Sequence, residues 1–131
     1  MLIDANIFLE VILEQEKAEQ CKLFLRDVLS GRKQAFISTF AIDSVVLTIL
    51  RKDPDKNKAR IFLINLLKYE GLKFYQIKVK DRINCLQLIE KYNLDYEDAI
   101  VLQSALSTGC KEIISFDTDF DNIKEIKRVE P

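Results

Sequence analysis

Two kinds of apolar pattern alternate along the chain. Short runs at MLI (1–3), QAFIS (34–38), LKFYQIKV (72–79) and EIISF (112–116) predict strands, and a last short strand is expected from Ile126 to Val129. Between them apolar positions recur at helical spacing. Ile7, Phe8, Val11 and Ile12 follow Asp4 or Asn6 as a cap, and Ala18, Cys21, Leu25 and Leu29 mark a helix from Glu16 that stops at Gly31. Ser38 or Thr39 opens a helix through Leu50 that is apolar nearly all round. Pro54, between Asp53 and Asp55, breaks the chain, and helices at about 56–69, 81–91 and 95–107 follow, with Gly71 and Gly109 as stops.

Strands separated by helical stretches imply a parallel sheet with helices on both faces. The expectation is an α/β protein, a three-layer α/β/α domain around a central parallel sheet of four to five strands. A chain of 131 residues with 48% hydrophobic content fits one such domain over residues 1–131, and no repeat or linker divides it.

Composition narrows the chemistry. Histidine is absent, which removes the usual general base and the commonest transition-metal ligand, so catalysis would have to run on oxygen ligands. Cys21, Cys85 and Cys110 are odd in number and far apart, and read as packed side chains rather than a disulfide or zinc framework. A net charge of −1 gives no global field for nucleic acid. No apolar run approaches the ~20 residues of a membrane span, and no basic segment precedes the first apolar residues, so a soluble, cytoplasmic protein is expected.

Acids end two of the predicted strands: Asp4 follows MLI, and Asp117 and Asp119 follow EIISF. In a parallel sheet that edge is where ligands bind, although a cap at Asp4 and an Asx turn at Asp117 are equally good local explanations. Asp43 has Thr39, Phe40, Val46 and Leu47 at helical spacing, which would turn it toward the core, where a carboxylate needs a cation or donors; the alternative is a solvent-facing stripe with Ser44 and Thr48. Asp98 reads as part of a capping box with Asp95, yet shares its face with Val101, Leu102 and Ala105, while Glu97 can face water. Were Asp4, Asp43, Asp98 and Asp117 to converge, each pair at about 4 Å would repel by roughly 4 kcal/mol at an effective dielectric near 20. A hard cation such as Mg²⁺ or Mn²⁺ would relieve that repulsion.

In order and spacing, LIDANIFLE, an acid in the helix after FIST, YEDAIVLQSAL and IISFDTDF resemble the PIN domain, in particular the compact VapC-type toxin ribonucleases. The resemblance covers nearly the whole chain. It implies that Asp4, Asp43, Asp98 and Asp117 form an acidic site for Mg²⁺ or Mn²⁺, with Asp119 as an accessory ligand, Glu97 as an outside candidate, and Asn6 and Ser115 as supporting groups. It further implies endonucleolytic hydrolysis of RNA, a homodimer and a small antitoxin partner. The second acid of the family is usually Glu, and Asp43 is shorter by roughly one C–C bond.

Other readings attach to single segments. FDTDF mimics the Asp-x-Asp of haloacid dehalogenase-type phosphatases, but there it follows the first strand; a phospho-receiver domain would need a phosphorylatable Asp on a central strand. A PIN-like binding module with degraded catalysis is the serious rival, favoured by Asp43. Arg51, Lys52, Lys56, Lys58 and Arg60 form a local basic segment that would suit phosphates or simply a solvated helix. Tyr92, Tyr96 and Phe120 would suit base stacking or a core.

Overall fold

The computed structural model describes residues 1–53 and 56–131, so the break at Pro54 lies outside the described residues. Five strands, β1 (Leu2–Ile3), β2 (Ala35–Ser38), β3 (Leu72–Tyr75), β4 (Glu112–Ile114) and β5 (Lys127–Val129), form one sheet in the order β3-β2-β1-β4-β5. Every pairing is parallel, as the strand-and-helix alternation requires. The helices are α1 (Ala5–Ile12), α2 (Ala18–Leu29), α3 (Thr39–Lys52), α4 (Lys56–Leu66), α5 (Val79–Tyr92) and α6 (Tyr96–Thr108), with a 3-10 turn at Thr118–Asn122. None of the helices among the described residues is long and apolar enough to cross a membrane.

Period-two alternation along the strands divides the interior into two cores. Ile3, Ala35, Ile37 and Ile114 pack with α1 to α4, whereas Leu2, Phe36 and Ile113 pack with α5 and α6. The three layers follow directly. All three cysteines are buried and free.

Element ends differ from expectation where polar groups intervene. The third strand stops at Tyr75, and α5 starts at Val79 rather than 81, because Asp81 reaches back along the chain. Its carboxylate accepts from the Lys78 amide and the Tyr75 hydroxyl, both at 2.8 Å, and from Ser107 Oγ at 2.9 Å. Burial pushes Asp81 up, but these donors and Gln103 outweigh it and hold the carboxyl below its ordinary range. Helix α4 ends at Leu66 instead of Tyr69, and the chain turns so that the Glu70 and Gly71 amides donate to the carbonyls of Leu29 and Val28. A Cβ at Gly71 would lie 2.0 Å from the Lys33 carbonyl oxygen, so only glycine fits there.

Register sets up the site. Leu2 pairs with Ile113 and Ile3 with Ile114, so the next residues, Asp4 and Ser115, leave the sheet side by side. The Asp4 amide still donates to the Ile114 carbonyl at 3.0 Å, and Ser38, ending β2, caps α3 by accepting from the Ala41 amide at 3.0 Å. Three strand ends thus meet at one carboxyl edge.

Candidate functional site

Ser115 is the hub of that edge. It is fully buried, and its hydroxyl donates to Asp4 Oδ2 at 2.6 Å while accepting from Asn6 Nδ2 at 2.9 Å and the Asp117 amide at 3.0 Å. Asn6 Nδ2 also donates to Asp4 Oδ2 at 2.8 Å. This network fixes the amide's orientation, since the reverse orientation would set two acceptors against each other. It leaves Asn6 Oδ1 buried with no hydrogen-bond partner. Asn6 and Ser115 therefore orient Asp4, as the supporting groups of a ligand set do.

Asp98 arrives from the other core. Asp95 caps α6 by accepting from the Asp98 amide at 2.8 Å, so the expected capping is present, yet the Asp98 side chain faces the strand ends. Asp117 caps the 3-10 turn through the Asp119 amide at 2.9 Å, also as expected of an Asx turn. Capping and convergence are compatible here, because a cap uses one acceptor and a carboxylate has several. Oxygens of Asp98, Asp117 and Asp119 all lie within 4.8 Å of one another.

The electrostatics agree with the geometry. Burial, and then the charges of Asp95, Asp117, Asp4 and Asp119, push Asp98 up to about 7. Burial also raises Asp4, against the hydrogen bond from Ser115 and the nearby amides of Ala5 and Asn6, with the Asp117 charge adding to the rise. A pocket of about 250 Å³ opens between these groups, lined by Asp4, Asn6, Glu97, Asp98 and Asp117 on one side and Phe40, Ser44 and Thr48 of α3 on the other. Among the described residues no lysine or arginine lines it. Oxygen donors at this spacing, mutual repulsion, an orphaned Asn6 carbonyl and no compensating side-chain cation together fit a hard divalent ion.

Asp43 corrects the sequence expectation. It is exposed, does not line the pocket and is not part of the carboxylate cluster. The buried stripe of α3 is Ala41, Val45 and Ile49, which places Asp43 on the opposite face with the exposed Leu47 and Leu50. Ser44 and Thr48, one helical turn apart, occupy the pocket face instead, whereas the alternative reading of the sequence grouped them with Asp43 as a solvent-facing stripe. No hydropathy signal separates them, since Ile42, Val46 and Leu50 recur at the same four-residue spacing as the buried Ala41, Val45 and Ile49.

The aromatic residues also separate. Phe120 is core, Tyr96 is exposed, and Tyr92 is half-buried at a second recess. In the basic segment, Lys58 pairs with Asp53 at 2.8 Å, and Arg51 lies on the Ser44–Thr48 side of α3 one turn further on.

A parallel α/β domain with carboxylates gathered at the carboxyl edge of its central strands defines the class. The chain belongs to the PIN domain family, whose model matches residues 1–126. Solved structures agree on the fold. A toxin–antitoxin complex from Klebsiella pneumoniae is similar at 23% identity and a TM-score of 0.67, over 95% of this chain and 93% of that one. VapC20 of Mycobacterium tuberculosis, a sarcin–ricin loop cleaving toxin, is 12% identical with a TM-score of 0.74, over 96% and 98%. VapBC2 from Rickettsia felis, bound to a DNA fragment from its promoter, is 13% identical with a TM-score of 0.72, over 98% and 96%. No curated protein sequence matches the chain.

Proposed function

We propose that this protein is a divalent-metal-dependent endoribonuclease that hydrolyses RNA phosphodiester bonds, acting as the toxin of a toxin–antitoxin pair. The observation that carries the reading is the cluster of Asp98, Asp117 and Asp119, with oxygens within 4.8 Å, beside a half-buried Asp4 in a pocket with no cationic side chain among its described lining residues. Asp98, Asp117 and Asp119 would hold Mg²⁺ or Mn²⁺, with Asp4 completing the site. Such an ion, when bound, supplies a Lewis acid for the scissile phosphate and a source of hydroxide near neutral pH.

The chain's own residues do the rest. Ser115 and Asn6 fix the Asp4 carboxylate, which offers its remaining lone pairs to the pocket. Asp98, pushed up to about 7, is protonated in about half of the metal-free molecules at neutral pH, and a bound cation would favour its carboxylate form. The Ser44 and Thr48 hydroxyls line the opposite wall, where neutral donors can meet phosphate oxygens without repelling them. Arg51 supplies a positive charge beyond them.

Two partners belong to this proposal. The neighbours' toxin–antitoxin assemblies motivate a small antitoxin. An apolar groove of about 250 Å³, lined by Phe8, Val11, Ile12, Leu25, Phe62 and Leu66, and the exposed Ile61, Ile64 and Leu67 beside it, offer surface for that partner or for a second copy in a homodimer.

One observation favours a second reading, a PIN-like binding module with weak or no catalysis. Helix α3 contributes hydroxyls and no carboxylate to the pocket. Cleavage of mixed-sequence RNA with Mn²⁺ or Mg²⁺, against EDTA and folded Asp4→Asn and Asp98→Asn variants, decides between them. Metal-dependent cutting lost in all controls supports the nuclease; metal binding with no cutting of any RNA favours the module.

A further inference from the structure

Asp119 faces two ways. On one side its carboxylate joins the acidic cluster; on the other it borders a separate recess of about 260 Å³ between the α5–α6 connection and the 3-10 turn. Leu94 and Ile123, both buried, close the bottom of this recess, its exposed lining is mainly polar, and the half-buried Tyr92 stands at its side. Its rim carries Asn93, Thr118 and Asn122, whose side chains are exposed and make no hydrogen bond to protein among the described residues.

The recess is braced. The Tyr92 hydroxyl donates to Glu125, and Lys91 Nζ sits 2.6 Å from that carboxylate and 4.7 Å from the Tyr92 ring centroid. Asn93 is the C-cap of α5 in the left-handed conformation, φ 53°, so its position relative to Tyr92 is set by the helix end. Tyr92 is thereby held in place, while the side chains of Asn93, Thr118 and Asn122 keep their hydrogen-bonding capacity.

The occupant follows from the chemistry of the walls. The volume falls just below the roughly 300 Å³ at which pockets for drug-sized ligands begin, so it suits one planar ring system rather than a helix or a paired stem. An anion is disfavoured, because Asp119 borders the space and no lysine or arginine lines it. Two side-chain amides and a hydroxyl offer donors and acceptors for a base edge, and the Tyr92 ring beside them offers a surface for a base's face.

We propose that this recess binds a single unpaired nucleobase next to the scissile phosphate, and so sets which RNA positions are cut. The inference rests on the ribonuclease reading for its consequence, but the binding itself can be measured apart from cleavage. Asp119 links the two sites: a nucleotide whose phosphate meets the acidic cluster has the recess as its adjoining compartment.

The test uses the full chain carrying Asp4→Asn, which blocks cutting, and short single-stranded oligoribonucleotides in which one position at a time is abasic. In this background an abasic site at one position is expected to weaken binding by about tenfold or more, within the range for a stacked base. Adding Asn93→Gly, which keeps the left-handed conformation, together with Asn122→Ala should reduce that penalty several-fold while penalties elsewhere persist. Thermal melting checks that the variants are folded, and either single substitution serves if the pair is not.

An equal penalty in both backgrounds, no abasic position that matters, or no oligonucleotide binding overturns the recess. Wild-type cleavage with Mn²⁺ is scored separately. Cutting with an unchanged penalty removes the recess and leaves the nuclease, whereas a penalty that tracks Asn93 and Asn122 without any cutting leaves the recess and removes the nuclease.

Discussion

Ser115 Oγ lies 2.6 Å from Asp4 Oδ2 although the two residues are 111 positions apart. The contact ties the end of β4 to the end of β1 at the point where both strands hand over to the site. Ser115→Ala would leave Asn6 Nδ2 with one partner fewer and strip the Asp117 amide of its acceptor. A loss of about 1–3 kcal/mol in stability is expected, the usual cost of orphaned buried groups. Because the same hydroxyl orients Asp4, Mn²⁺ affinity should fall by roughly 10–100-fold as well. Denaturant titration and isothermal calorimetry read the two effects; an unchanged metal affinity would remove Ser115 from the site.

Pattern offers both Asp43 and Asp98 as ligands, and the structure sets them apart. Asp43→Asn should leave both metal binding and stability within about ±0.5 kcal/mol, as for an exposed residue away from special features. Asp98→Asn should abolish tight Mn²⁺ binding, because it removes one of the three clustered carboxylates. Paired measurements on the two folded variants check this. If Asp43→Asn loses metal as completely as Asp98→Asn, the assignment of the pocket face of α3 is wrong.

The strands and the acids at their ends were readable because a parallel sheet buried on both faces writes itself as short apolar runs, and Leu2, Ile3, Ile113 and Ile114 sit in such runs. The phase of α3 was not. Leu47 and Leu50 are 53% and 42% exposed, so the helix is apolar on its solvent face too, and hydrophobicity alone cannot say which way Asp43 turns. The third strand overran for a related reason: Ile77 and Val79 continue its apolar pattern, and only the reach of Asp81 to the Lys78 amide ends it. Legibility failed where a tertiary contact, rather than local pattern, chose the outcome.

Stability of the metal-free protein should depend on pH through Asp98. Its value is about 7 in the fold against an ordinary 3.8, so between these values the folded state holds a proton that the unfolded chain has released. Folded protein therefore binds more protons, and stability falls as pH rises from about 4 through about 7, with the raised Asp4 adding in the same direction. Added Mn²⁺ should oppose the fall, and its stabilising effect should grow over that window as protons cease to compete. Thermal melts from pH 4 to 8, with EDTA or Mn²⁺, test the sign. Metal-free protein that gains stability across that window would contradict the repulsive cluster, and the Asp98→Asn variant should flatten the profile.

Ser44 is the place where a single substitution can ask whether catalysis has been weakened or was never present. It lines the acidic pocket from α3, where the structure has hydroxyls and the resemblance had led to an acid. Ser44→Glu adds a fifth pocket-facing carboxylate to Asp4, Glu97, Asp98 and Asp117. Without metal the extra charge should destabilise the protein, since like charges at about 4 Å repel by roughly 4 kcal/mol at an effective dielectric near 20, and solvent at the open pocket reduces that figure. With Mn²⁺ the sign should reverse, and RNA cleavage should rise by about tenfold if α3 is the missing wall of a working site. A variant that binds metal more tightly yet cuts no faster would mean that the ligand set was never limiting, and the binding-module reading would gain. Should the variant bind metal no better than wild type, the side chain at position 44 does not reach the metal site, and any further ligand must be sought at Glu97.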